Sequence, residues 1–163
     1  RDAFAETLEA NPPQAEPGEL IRPDVTAQDL DGVEVVLDVA RLVRAAEIAA
    51  EARREAHHAC DLAKAAFEAT QAANRSDDMD DRSCEALIAA SEAYGAALDA
   101  RRAAGEEAES AAALARLAQQ AQPAPVAWKV SVAPANRHLQ LTSPDRRRLN
   151  APLAMLGYLR LAA

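Results

Sequence analysis

The chain has 163 residues and a formal net charge of −8, and half of its residues are apolar although only five are aromatic. So few large side chains predict a thin core, which argues against a globular enzyme that encloses its substrate. Sixteen of the eighteen basic residues are arginine. Together with the abundant alanine, this usage indicates a high-GC source, bacterial or phage.

Residues 1–31 are expected to form an acidic, proline-rich extended arm. The stretch 1–38 holds ten acidic and two basic side chains, and prolines interrupt any short helix before Pro23. Such an arm has no core of its own and becomes ordered only by docking onto another element. The apolar side chains available for this docking are Phe4, Leu8, Leu20 and Ile21.

No proline occurs between Pro23 and Pro123, and this stretch has a helical hydrophobic period. We expect residues 32–122 to form a long antiparallel helical hairpin, a coiled coil whose first helix begins near Val33 with Asp31 as its cap. Apolar residues, nearly all alanine, recur at alternating steps of three and four. The predicted seam of the first helix consists of Leu42, Ala45, Ala49, Ala52, Ala56, Ala59, Ala63, Ala66, Thr70 and Ala73.

The polar segment 74–81 interrupts this period and predicts the turn, with Asp80 or Asp81 as the cap of the second helix. Folding the chain there, so that paired residue numbers sum to 156, places Ala59 opposite Ala97. Alanine on both sides lets the two helix axes approach closely. The predicted seam of the second helix consists of Ala86, Ala90, Ala93, Ala97, Ala100, Ala104, Glu107, Ala111, Leu114 and Ala118.

Larger apolar residues lie outside this predicted seam, and two helices alone cannot cover them. An isolated two-helix unit is marginal, because its ordering entropy is about as large as its burial gain. We therefore expect the hairpin to form homo-oligomers or to dock into a larger assembly. Together with residues of the tail, the predicted partner-binding residues are Val43, Ile48, Phe67, Tyr94, Leu98, Trp128, Arg146, Arg147 and Arg148.

Residues 123–163 are expected to form a basic tail with a small β-hairpin and short helices. Apolar residues alternate with others from Val126 to Val132, which predicts a half-buried strand, and a second strand is expected around Leu141. Ser143 and Asn150 are each followed by a proline within two residues and predict helix starts.

Glu55 and His58 have the spacing that places two metal ligands on one helix face. A di-metal bundle needs a second such pair, which the sequence lacks, so solvated surface side chains are the favoured interpretation and a metal-binding helical bundle the weaker one. No glycine-rich phosphate loop, nucleophile elbow or paired metal motif occurs. The sequence therefore predicts that the chain is not an enzyme and has no cofactor.

The favoured hypothesis is a non-enzymatic structural or assembly protein that binds copies of itself or other subunits of a larger complex, with a bacterial or phage particle as one setting. The alternative is a nucleic-acid-associated protein, because the arginines at 146–148 could contact phosphate. Docking of the basic tail on the acidic arm of a neighbouring subunit competes with that interpretation. Without a long apolar run or signal sequence, we expect no membrane contact and a location in the cytoplasm or within an assembled particle.

Overall fold

A computed structural model describes residues 18, 20–21, 24–75, 80–122, 127–132 and 138–162. Two long helices, α1 (Val39–Ala73) and α2 (Asp81–Gln120), pack against each other and confirm the predicted hairpin. Within this part of the chain, no helix is both long enough and apolar enough to cross a membrane. Residues 1–17, which include Phe4 and Leu8, lie outside the described residues, and so do residues 76–79 of the predicted turn.

The strands form one five-stranded antiparallel sheet in the order β4-β3-β2-β1-β5. The predicted β-hairpin is confirmed as β2 paired with β3, whereas β1, β4 and β5 were not predicted. Because β1 and β2 are neighbours in the sheet, the whole helical hairpin is an insertion between two adjacent strands. The strands are β1 (Glu34–Leu37), β2 (Trp128–Val132), β3 (His138–Thr142), β4 (Arg148–Pro152) and β5 (Leu159–Leu161).

The first helix begins at Val39 and not near Val33, because residues 34–37 pair with two strands instead. Asp38 caps α1, since its Oδ1 accepts a hydrogen bond from the Arg41 amide at 3.1 Å. The predicted cap, Asp31, has a different role: its Oδ1 accepts the Val132 amide at 3.0 Å and so joins the turn before β1 to the end of β2.

Gly32 makes this turn before β1, with φ of 81°, a conformation that side chains with a Cβ rarely adopt. Its amide donates to the Val130 carbonyl at 2.8 Å. At the start of the second helix, the Ser83 amide donates to Asp80 Oδ1 at 2.8 Å, which confirms Asp80 as a cap.

The chain divides into two compact units, which differ from the three predicted segments. The sheet unit comprises the described residues up to Arg44 and from Ala113 onward; the hairpin unit is Ala45–Ala112. Residues predicted as a separate arm belong to the sheet unit, where Ile21 and Leu30 are buried in the core. One face of the sheet is buried under the neighbouring segments, and the largest fully buried side chains there are Leu42, Leu139, Leu141, Met155, Leu159, Val35 and Val130.

The tail differs from prediction in its helices. Ser143 begins a tight turn between β3 and β4, in which its hydroxyl accepts the Arg147 amide at 3.0 Å and its carbonyl accepts the Arg146 amide at 3.0 Å. Asn150 lies within β4, and a 3₁₀ helix begins only at Leu153 and ends at Tyr158. Both predicted helix starts are therefore wrong, because Ser143 begins the turn between two paired strands and Asn150 pairs with Gln140 inside the sheet.

Candidate functional site

The interior of the hairpin unit is narrow, and among its described residues, 45–75 and 80–112, the buried ones are Ala49, Cys60 and Ala108. Phe67 of α1 and Tyr94 of α2 stack with their ring centroids 5.9 Å apart and are half-buried between the helices. These contacts define the seam of the coiled coil. On α1 the seam positions are Ala46, Ala49, Arg53, Ala56, Cys60, Ala63, Phe67 and Thr70, and on α2 they are Leu87, Ala90, Tyr94, Ala97, Arg101, Ala104, Ala108 and Ala111; all of them are buried or half-buried except Arg53, which is exposed.

Half of the predicted seam is therefore wrong. Ala49, Ala56 and Ala63 were placed correctly in the seam. The seam positions between them lie one residue later in the chain than predicted. Ala59 is exposed and Cys60 is only 2% exposed. The stacked pair Phe67 and Tyr94 sums to 161, not to 156. The physical reason is that the two large rings bury more apolar area inside the seam than alanine does.

The alanines displaced from the seam lie on one flank of each helix. In an antiparallel coiled coil, the flanks with the same heptad positions on the two helices lie side by side. These flanks of α1 and α2 therefore form one surface. All of these positions are exposed. We call this shared surface the alanine face, and it includes the other residues of the two flanks as well. Its members are Ile48, Ala52, Glu55, Ala59, Leu62, Ala66, Ala69 and Ala73 on α1, and Ala86, Ala89, Ala93, Ala96, Ala100, Ala103, Glu107 and Ser110 on α2.

The remaining surface of the hairpin unit carries most of its described charged side chains. Arg54 pairs with Glu51, and Lys64 Nζ lies 3.8 Å from Glu68 Oε1 along α1. Such exposed pairs contribute little to stability but keep a surface hydrated. The exposed charged residues outside the alanine face include Glu51, Arg54, Asp61, Lys64, Glu68, Glu92, Asp99, Arg102, Glu106 and Glu109. The hairpin therefore has one apolar side and one charged side.

The structure places the predicted partner-binding residues of the helices in different environments. Ile48 is 57% exposed and belongs to the alanine face, and Val43 is 40% exposed within the sheet unit. Phe67 and Tyr94 contact each other between the helices. The prediction from the sequence that they face outward is therefore wrong. Leu98 is half-buried on the flank opposite the alanine face.

Trp128 and Arg147, also predicted to bind partners, make internal contacts in the sheet unit. Trp128 is 2% exposed, and the Arg147 guanidinium lies 5.5 Å from the centre of its ring. Arg147 Nη1 also donates to the Ala121 carbonyl at the end of α2, at 3.3 Å, and its Nε donates to Asp145 at 3.0 Å. Arg147 therefore fastens the β3–β4 turn to the end of α2.

The two neighbouring arginines remain available to solvent. Arg146 is exposed in the turn with φ of 65°, and Arg148 is exposed on the polar face of the sheet. Strand register places Lys129, Thr142 and Arg148 in one row across that face. A pocket of about 240 Å³ beside this row is lined by Glu34, Ala127, Lys129, Thr142, Ser143 and Pro144.

Glu55 and His58, the predicted weak metal ligands, are both exposed on α1. Among the described residues no group of three or more histidine, cysteine, aspartate or glutamate side chains is arranged to hold a metal ion. Cys60 and Cys84 are both free thiols, the first buried and the second half-buried.

Comparison of the chain with protein-family models, with curated proteins and with solved structures gave no match.

Sequence reasoning missed the alanine face because it assigned seven of its eleven alanines to the seam. The signal that separates the two sets is the position of large residues. Cys60 and Phe67 are seven residues apart on α1, as Leu87 and Tyr94 are on α2. Bulky side chains that repeat every seven residues on both helices indicate the seam more strongly than alanine does. Leu62 is 59% exposed, and its importance also becomes clear only from its position on the alanine face.

Proposed function

We propose that this chain is a non-enzymatic assembly protein whose helical hairpin docks onto further subunits, copies of itself foremost. The observation that supports the proposal is the alanine face, an exposed and mainly apolar surface that Glu55, Glu107 and Ser110 interrupt, on a unit with a thin interior. Larger exposed apolar patches rimmed by polar residues are typical of protein–protein interaction sites. A repetitive particle built from many copies is one setting for such a subunit.

The hairpin is well placed in the sequence for this role. Inserted between β1 and β2, it begins and ends at adjacent strands, and its base residues Leu42 and Leu114 are buried in the core of the sheet unit. Functional segments are commonly carried as insertions on a rigid scaffold. The apolar side chains of the alanine face are exposed, whereas those of the sheet core are buried against each other within one copy of the chain.

Sedimentation of the full chain over a wide concentration range tests this function. We expect the apparent mass to rise with concentration, and Leu62→Lys to reduce that rise because a charge is placed on the alanine face. Ile88→Lys is the matched control, since Ile88 is also 59% exposed but lies on the charged side. A monomer at every concentration would remove self-association as the function.

Nucleic-acid binding is a second candidate, supported by the row that joins Lys129 to Arg148 on the polar face of the sheet with Arg146 close by. Lysine and arginine on one open face can contact successive phosphates. The competing consideration is the net charge of −8, which repels a polyanion at long range.

The test of this candidate is the salt dependence of binding to a labelled oligonucleotide. Arg146→Gln with Arg148→Gln should weaken binding and reduce its salt dependence, whereas Arg116→Gln on the exposed surface of α2 should not. Arg147 is left unchanged because its loss would disturb the fold. Absence of binding at low salt would exclude this function.

A further inference from the structure

We infer that the alanine face is covered by the same face of a second copy of the chain, in a two-fold dimer that overlaps the turn-side half of the hairpins. The overlapping segments are Ala59–Ala73 of α1 and Ala86–Ala103 of α2, each antiparallel to its equivalent in the partner. This inference rests on the proposed function and adds to it the identity of the partner and the geometry of docking.

Exposed alanine alone does not require a partner, because alanine is the best helix former and is common on solvated helices. Leu62 has no such explanation. It is 59% exposed near one end of the overlapping segment, with Ala59 and Ala66 on either side of it along the same flank. A single large apolar side chain among alanines is the arrangement that inserts as a knob into a shallow hole on a facing helix. The same surface on a second copy supplies such a hole between Ala66, Ala69 and Ala73.

Charge within the alanine face selects which half is used. Glu55 lies twelve residues before Phe67, and Glu107 lies thirteen residues after Tyr94, so the stacked rings place both carboxylates at about one level of the hairpin. On the turn side of that level the alanine face contains no charged residue. Overlap of this uncharged half leaves both carboxylates outside the interface.

The same two carboxylates distinguish the two possible two-fold arrangements. With the symmetry axis parallel to the helices, each α1 would face the partner's α2 at the same level and Glu55 and Glu107 of both copies would cluster. Like charges brought together while losing water are strongly unfavourable. With the axis perpendicular to the helices and close to Ala66 and Ala96, the two Glu55 side chains are on the order of 33 Å apart along the helices at 1.5 Å per residue.

The size of the overlap fits a reversible dimer. Its length is about 25 Å and its width about 20 Å, because two helices of about 10 Å lie side by side. Roughly 500 Å² per copy, or about 1,000 Å² in total, is close to the smallest area of specific protein–protein interfaces. The dimer should therefore form at moderate concentration and dissociate on dilution.

A matched pair of substitutions tests the face. Ala66→Glu places a carboxylate at the centre of the overlap, and Ala65→Glu places the same group on the preceding residue, which is exposed outside the alanine face. We expect Ala66→Glu to weaken dimerisation about tenfold or more in sedimentation equilibrium. Ala65→Glu should dimerise like the native chain, and both should keep the native helical circular dichroism because glutamate is a good helix former.

Cysteine cross-linking tests the arrangement, in a background where Cys84 is replaced by serine and the buried Cys60 is kept. Ala66→Cys should form a covalent dimer under mild oxidation, because the two copies of residue 66 meet near the axis. Ala65→Cys should not. In the parallel-axis arrangement, residue 66 instead faces residue 96 of the partner, so a mixture of Ala66→Cys and Ala96→Cys chains would give the mixed dimer.

The outcomes separate this inference from the proposed function. If the chain self-associates but Ala66→Glu has no more effect than Ala65→Glu, assembly stands and the alanine face is overturned as its site. If the mixed 66–96 dimer forms in preference to the 66–66 dimer, the antiparallel arrangement is overturned. A strictly monomeric native chain overturns both the dimer and self-association.

Discussion

In the sheet unit, large side chains such as Leu139, Leu141 and Met155 are completely buried, whereas the buried residues in the described part of the hairpin unit are two alanines and a cysteine. Burial stabilises in proportion to apolar area, at about 25 cal/mol per Å². The sheet unit therefore obtains its stability from a compact cluster within one copy of the chain. The hairpin unit buries little per residue and leaves Ile48 and Leu62 more than half exposed, so a second layer adds relatively more to it.

The difference also bears on which residues are structural and which ones we propose to bind a partner. Trp128 and Arg147 resemble interface residues by type, yet both are used inside the sheet unit. Alanine is not typical of interface hot spots, yet the alanine face is the extended apolar surface of the hairpin unit. Residue type alone is thus a poor guide to which residues have a structural role. The position of a residue relative to the seam or the sheet core is the better one.

Leu141→Ala should have the largest effect on stability and should act on the sheet unit. Leu141 is completely buried in the middle of β3, so its truncation leaves a cavity, and we expect a loss of about 2–5 kcal/mol in the free energy of unfolding. Urea unfolding monitored by fluorescence of Trp128 measures this loss. Leu153→Ala is the control, because Leu153 is 41% exposed and should cost less than about 0.5 kcal/mol.

A loss as small for Leu141 as for Leu153 would show that the sheet unit has no tightly packed core. The sheet unit would then not differ from the hairpin unit in how tightly its interior is packed.

Replacing Phe67 should have a smaller effect and should act on the hairpin unit. The Phe67 and Tyr94 rings are stacked but only half-buried, so we expect Phe67→Leu and Tyr94→Leu to be coupled by about 0.5–1.5 kcal/mol. A double-mutant cycle followed by helical circular dichroism measures this coupling. Additive effects of the two substitutions would show that the rings do not interact in solution.

The outcome for Phe67 bears on how much of this structure was predictable. The two helices and the strands β2 and β3 follow from local periodicity, at Ala49, Ala56 and Ala63 and at Trp128, Val130 and Leu141. Local pattern could not show that Val35 belongs to a strand, because its partners Trp128 and Leu161 are distant in sequence. The seam was half predicted, because positions seven residues apart are shared by both possible choices and only the rings decide between them.

Arg147→Lys should cost about 1–2 kcal/mol, because lysine keeps the charge but cannot bond Asp145 and Ala121 while covering the Trp128 ring. The effect should appear in Trp128 fluorescence as well as in urea unfolding. Arg148→Lys is the matched control, since Arg148 is exposed on the polar face of the sheet. Equal stability of the two variants would mean that Arg147 does not hold the β3–β4 turn to α2.

The smallest expected effects concern two carboxylates, one in each unit. The Ser143 hydroxyl, with Arg147 beside it, holds the pKa of Asp145 below its ordinary value of 3.8. The Ser83 side chain and amide likewise lower the pKa of Asp80, at the start of α2. Because each folded pKa is below the unfolded one, the unfolded chain binds the proton more tightly, and each carboxylate stabilises the fold above about pH 3.8.

That stabilisation is lost as the pH falls from about 3.8 through the lower folded pKa values. Asp145→Asn and Asp80→Asn should therefore be less stable than the native chain at neutral pH, with the difference shrinking toward zero in strong acid. Urea unfolding at a series of pH values measures this, by Trp128 fluorescence for Asp145 and by helical circular dichroism for Asp80. A difference that stayed constant into acid would mean that the carboxylate charge is not what stabilises these two turns. If it shrank for Asp145 alone, the charge of Asp80 would not be what stabilises the start of α2, and the hairpin unit would depend still more on its thin seam.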